Sequence, residues 1–131
     1  MPNFTAIVTL LAVVVYFHSS VRVGSARARY AVKAPATSGH PDFDRIFRVQ
    51  MNTLEWMPIF LPSLWLFACY VSDPGAAAIG VVWIGGRILY MVSYSEAAAK
   101  RGAGFGVQAA AAGVLLVGAF IGIIWRMLHG G

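Results

Sequence analysis

Cysteine occurs once in 131 residues, at Cys69. One thiol cannot close an intrachain disulfide, and its place in an apolar run suits a packed small hydrophobe. The three histidines, His18, His40 and His129, are scattered, and no Cys/His set has metal-ligand spacing. No metal is expected. Charge is equally scarce: 11% of residues, with five acidic side chains against ten basic ones and a formal net charge of +5. So apolar a chain is not disordered. Its basic residues lie between apolar runs and form no patch or tail, so nucleic acid is not an expected partner. Missing too is a basic segment at the N-terminus. Met1-Pro2-Asn3-Phe4 carries no Lys or Arg, and the apolar stretch reaches about Val23 with no small-residue cleavage pattern before it. A retained first transmembrane helix is expected, not a cleaved signal.

Apolar side chains are what the chain has in abundance. They make up 59% of residues, and the mean hydropathy is +0.71. A soluble domain of this length could not keep that much apolar surface from water. The expectation is one integral membrane domain over 1–131, all-α, folded as a four-helix bundle. Four apolar runs, each near the roughly 20 residues that cross a hydrocarbon core of about 30 Å, place helices over about 4–33, 43–71, 76–100 and 105–128. The first helix is expected to project to Lys33, since nothing breaks it before Pro35. Ser72-Asp73-Pro74-Gly75 has turn chemistry at every position. Gly118 and Gly122 form a small-residue packing pair in the last helix.

Lys and Arg crowd the first and third connections, whereas the second has none and the C-terminal end only Arg126. Positive charge on the cytoplasmic side puts those two connections there and both termini on the opposite side.

Two polar rows interrupt the apolar pattern. Arg48, Asn52 and Glu55 follow i, i+4, i+7 spacing and share a face of the second helix. A helix cap with an internal Arg48–Glu55 or Arg48–Asn52 pair would account for part of this row. Pro58 and Pro62 follow, removing backbone donors and kinking the helix next to the polar face. In the third helix Arg87, Tyr90, Tyr94 and Arg101 fall within an arc of roughly 60°. Interfacial anchoring and topology signals would explain these residues singly, but not their common face or the depth of Arg87. An ionisable group near the bilayer centre costs roughly 2.5–3.5 kcal/mol, so such rows face a partner helix, a water-filled cavity or a polar ligand. Together they offer Arg48, Arg87 and Arg101 as cations, Glu55 as an anion, and Gln50, Asn52, Tyr90 and Tyr94 as neutral hydrogen-bonding groups. A small molecule with two carboxylates, one ammonium and several amides matches the set, since Arg forks take carboxylates bidentately. Glutathione has this charge pattern and adds a thiol.

The string Arg48-Val-Gln-Met-Asn-Thr-Leu-Glu55-Trp-Met-Pro58 resembles the second-helix signature of the MAPEG family, membrane-associated proteins of eicosanoid and glutathione metabolism. Gly86-Arg87-Ile-Leu-Tyr90-Met-Val-Ser-Tyr94, with Arg101 beyond it, resembles the third-helix signature. Pro41-Asp-Phe43-Asp-Arg45 is similar to the loop leading into the second helix. The resemblance covers nearly the whole chain and is nearest to the branch of microsomal glutathione transferase and leukotriene C synthase.

That resemblance implies a homotrimer with sites at subunit interfaces. It implies glutathione as co-substrate, bound near the cytoplasmic side by Arg48, Asn52, Glu55, Tyr90 and Tyr94. Gln50 and Arg87 match further contacts, and Arg27 matches an arginine from a neighbouring subunit. Arg101 matches the thiolate-stabilising arginine, although Tyr94 stays open for that role. Trp56 stands where the leukotriene branch has tyrosine, replacing a phenol with an indole donor. Ala28, followed by Arg29, stands where that branch has the second of two arginines. A membrane-bound glutathione transferase or peroxidase, acting on lipophilic electrophiles or lipid hydroperoxides from the bilayer, fits better than leukotriene synthesis. The alternatives are a non-enzymatic lipid-binding scaffold of the same fold and a glutathione-dependent isomerase of prostaglandin-type peroxides.

Overall fold

The computed structural model describes residues 1–96 and 102–130. They form four helices: α1 (Asn3–Arg29), α2 (Pro41–Tyr70), α3 (Asp73–Glu96) and α4 (Gly102–Leu128). At 1.5 Å per residue, the 27 residues of α1 and of α4 reach about 40 Å, more than a hydrocarbon core. α1, α3 and α4 are long and apolar enough to cross a membrane. α2 is longer still, at 30 residues, but carries the polar row. The chain is an all-α, four-helix, multi-pass integral membrane protein.

The helix ends follow local chemistry more closely than the apolar runs. α2 starts at Pro41, two residues before the apolar run suggests. His40 is its N-cap, its Nδ1 accepting from the Asp42 N–H at 3.1 Å, and proline at the first position loses no intrahelical bond. α3 starts at Asp73, because Ser72 Oγ accepts from the Gly75 N–H at 3.0 Å, and Pro74 falls in the first turn. The supposed four-residue turn is thus mostly helix. α1 stops at Arg29 and does not continue to Lys33. Ala31 takes a left-handed φ of 56°, while the Arg27 guanidinium donates to the carbonyls of Ala36 (2.7 Å) and Val32 (3.5 Å). Val32 turns inward against Val23, Ala26 and Phe43. The stop is set by that packing, with no glycine or proline at the break. α2 continues as one helix through Pro58 and Pro62.

Lipid tails are as apolar as leucine, so the bundle is held by close packing and interhelical hydrogen bonds and not by escape from water. Phe60 of α2 stacks flat on Trp83 of α3, ring centroids 3.9 Å apart, among Leu64, Ala112 and Leu115. Gly118 and Gly122 of α4 pack inside the chain. A β-carbon would meet the Phe67 ring at 2.5 Å from Gly118 and Val71 at 2.8 Å from Gly122. α1 is fastened at its start by Asp73, whose carboxylate accepts from the N–H groups of Phe4 (3.2 Å) and Thr5 (2.9 Å). Those N–H groups lack intrahelical partners, and an anion suits that end of a helix dipole. Trp65 Nε1 donates to Thr9 Oγ1 at 2.9 Å and ties α1 to α2.

Candidate functional site

The polar end of the bundle is set by how closely α3 and α4 approach. A β-carbon on Gly104 would lie 2.3 Å from the Tyr90 backbone nitrogen, and one on Gly86 would lie 2.7 Å from that of Gln108. Glycine is required at both crossings, and the contact brings Phe105 against Tyr90, ring centroids 6.1 Å apart. There Arg48 and Asn52 of α2, Tyr90 of α3, and Gly102 and Phe105 of α4 line one cavity of about 340 Å³. Trp56 meets Phe105 edge-on at 5.6 Å, joining that wall to the apolar core below.

Arg48 donates to Glu55 Oε1 at 3.0 Å. Both side chains are about half exposed, 50% and 55%. The internal pair considered from the sequence is therefore present, at the cavity that Arg48 lines. An ion pair so exposed is worth only about 0–1 kcal/mol, so its charges can be re-partnered at little cost.

Arg87 takes a different place from that of an open cation. It is 1% exposed and lies beneath the cavity, its Nη1 donating to Asn52 Oδ1 at 2.8 Å and its Nη2 to Thr53 Oγ1 at 2.6 Å. The guanidinium also lies 4.6 Å from the centroid of the Tyr90 ring. Tyr90 and Tyr94 are buried and stacked, 5.4 Å between centroids. The common face of Arg87, Tyr90 and Tyr94 is thus observed, with Arg87 supporting Asn52 and Tyr90 from below.

Glu55, Trp56 and Tyr94 each contact a residue of the lining without belonging to it, and two further residues are turned away from the cavity. Gln50 points to α1, its Nε2 donating to Ser20 Oγ at 2.9 Å. Arg27 is engaged with the α1–α2 connection and lies 5.2 Å over the Phe43 ring. Arg101 lies outside the described residues, one position before Gly102 of the cavity wall. Among the described residues, no group of three or more His, Cys, Asp or Glu could hold a metal ion. Sequence reasoning passed over Thr53, Gly102 and Phe105. Thr53 directly follows Asn52, and Gly102 and Phe105 flank Gly104, where α4 meets α3 most closely, but none of the three carries a charge that draws notice.

The cavity thus gathers a cation, an amide and a phenol within apolar helices, with Glu55 paired to the cation at its side. The MAPEG family model matches residues 5–121. An uncharacterised protein of Synechocystis is 48% identical over 122 residues, which cover 93% of this chain and 89% of that protein. Human microsomal glutathione S-transferase 2 is 43% identical over 100 residues, 76% of this chain and 68% of the human protein. Bovine leukotriene C4 synthase is 36% identical over 123 residues, 94% of this chain and 82% of the bovine one. The chain belongs to the MAPEG family, in the branch that includes microsomal glutathione S-transferase 2 and leukotriene C4 synthase.

Proposed function

We propose that the protein is a membrane-bound glutathione transferase with peroxidase capacity, and that the cavity between α2, α3 and α4 takes glutathione. The observation that carries this reading is the Arg48–Glu55 pair beside Asn52 and Tyr90. An amino-acid zwitterion presents a carboxylate and an ammonium side by side. Arg48 is the fork for the first and Glu55 the counter-charge for the second. Asn52, oriented by Arg87, offers its amide N–H₂ to a peptide carbonyl. A cavity of about 340 Å³ lies in the range of small-molecule sites, about 300–1,000 Å³. The name of one relative, microsomal glutathione S-transferase 2, supports the same substrate class.

In this reading the working assembly is a homotrimer. Arg27 uses Nη1 for its own connection and offers the rest of its guanidinium to the neighbouring subunit's cavity. The first and third connections face the cytoplasm, where glutathione enters, and both termini lie on the far side.

The chemistry is attack by a thiolate. A free thiol has a pKa of about 8.5, and a fixed cation lowers it. Arg101 stays protonated and cannot serve as a base; it acts by holding the negative sulfur in a site walled from water. Tyr94, stacked on Tyr90, is the second candidate for a contact to sulfur. In transfer, sulfur forms a bond to the electrophilic carbon of a lipophilic substrate, and the leaving group departs with its electron pair. In peroxide reduction, sulfur attacks the terminal oxygen of a lipid hydroperoxide. The O–O bond breaks, the alkoxide takes a proton to give the alcohol, and a sulfenic acid forms on glutathione. A second glutathione converts that acid to the disulfide and releases water.

The test is a thiolate difference spectrum on adding glutathione to the protein in detergent. A saturable thiolate band is expected, and its absence overturns the assignment. Turnover with a chloronitrobenzene and with a fatty-acid hydroperoxide then separates transferase from peroxidase. A thiolate band with neither turnover leaves the scaffold as the better reading.

A further inference from the structure

α1 carries a polar row that the glutathione reading does not use. His18, Arg22, Ser25 and Arg29 follow i, i+4, i+7, i+11 spacing and share one helix face. They line a concavity of about 340 Å³ that Tyr30 flanks. Arg29 lies 5.4 Å over the Tyr30 ring, and Tyr30 stacks on His40 with ring centroids 4.4 Å apart, so the cation is held in place. Among the described residues, neither Arg22 nor Arg29 is ion-paired. At the His18–Arg22 end, this concavity meets a trough of about 610 Å³ between α1 and α3, walled by Val14, Ile88 and Val92. These three are 60%, 49% and 53% exposed, which places them against lipid chains.

We propose that the joined concavities bind one anionic phospholipid, its phosphate between Arg22 and Arg29 and an acyl chain in the trough. Three observations support that occupant. The charge is complementary: two guanidiniums without carboxylate partners suit phosphate oxygens, which arginine forks bind bidentately. The polarity has the right order, since the cations lie toward the C-terminal end of α1 and the aliphatic walls toward mid-span. That is the order of head and tail in one leaflet, and basic pockets between membrane helices recognise such heads. The spacing also discriminates. Arg22 and Arg29 are seven residues apart, roughly 10 Å along the helix, too far for one fatty-acid carboxylate to meet both but within reach of a phosphodiester and its polar head.

The test uses the full chain in nanodiscs of phosphatidylcholine with phosphatidylglycerol, followed by native mass spectrometry of retained lipid. Two basic side chains near a head group give a preference for phosphatidylglycerol of about thirtyfold. Arg22→Gln with Arg29→Gln brings the two lipids to near parity, whereas Arg126→Gln leaves the preference intact. Ser25→Asp, which puts a carboxylate into the head pocket and keeps both arginines, also lowers phosphatidylglycerol retention. Four results overturn the proposal. The native chain retains both lipids equally; the preference survives both the double change and Ser25→Asp; oleate displaces phosphatidylglycerol, making the occupant a free fatty acid; or lipid binds only when an oligomer dissociates, making the occupant a second copy. None of these depends on glutathione turnover, so failure here and failure of the enzymatic reading are separable.

Discussion

Arg87 of α3 and Asn52 of α2, thirty-five residues apart in sequence, are joined by a hydrogen bond of 2.8 Å whose donor is buried among apolar helices. The same guanidinium reaches Thr53 through its other terminal nitrogen, so both ends of the fork are spent on α2. Arg87 therefore fixes the two helices that flank the cavity and aims an amide at it. Arg87→Lys keeps the charge but loses the fork. Bonds to charged groups contribute about 1.5–3 kcal/mol each, so losing one lowers stability by about 2 kcal/mol. Thermal unfolding in detergent measures this, and glutathione affinity is expected to fall with it. An unchanged melting temperature would show that the fork is not structural.

Glu55→Gln separates the site's binding role from its fold. The Arg48–Glu55 pair is too exposed to matter much for folding, so stability is expected to move by no more than about 0.5 kcal/mol. Glutathione affinity is expected to fall about tenfold, or 1.4 kcal/mol, with the ammonium partner gone. Titration of the thiolate band reads the affinity, and unchanged binding removes Glu55 from the site.

Arg101→Ala addresses the sulfur. If that cation holds the thiolate, turnover falls at least about a hundredfold, as when one oxyanion-stabilising group is removed. The glutathione Kd changes much less, since Arg48 and Glu55 remain. The thiolate band should shift to higher pH, because loss of the cation raises the thiol pKa. A parallel loss in Kd and turnover instead makes Arg101 a binding residue and leaves Tyr94 to act on sulfur.

Four helices and a polar face were legible because each rests on a local signal. Apolar runs of membrane length mark the helices, and three- and four-residue spacing puts Arg87, Tyr90 and Tyr94 on one face. What sequence could not tell is which neighbour a face meets. Gln50 is two residues from both Arg48 and Asn52, yet it turns to Ser20 of α1 while they line the cavity. The depth of Arg87 reads equally well as an open cation or as a buried tie, and only the position of Thr53 decides it. The end of α1 escaped for a similar reason. It is set by Val32 burying against Phe43 and by Arg27 gripping Ala36, contacts across the connection that no residue type at Ala31 announces.

The closest approach of α3 and α4 yields the sharpest structural test. A methyl group on Gly104 would meet the Tyr90 backbone nitrogen at 2.3 Å, the Tyr90 Cα at 2.6 Å and the Gly86 carbonyl at 2.9 Å. All three are backbone atoms, so no side chain can swing aside and the helices must part. Overpacking of this kind costs about 1–3 kcal/mol, and parting would carry Tyr90 away from Phe105 and widen the cavity. Gly104→Ala is therefore expected to lower both the melting temperature and the glutathione affinity. Gly106, two residues on, serves as the control, since a methyl group there would have nothing within 4 Å. Gly106→Ala should be neutral or gain up to about 1 kcal/mol from helix propensity. Equal behaviour of the two variants, in unfolding and in glutathione titration, would mean that the glycine contact does not shape the site.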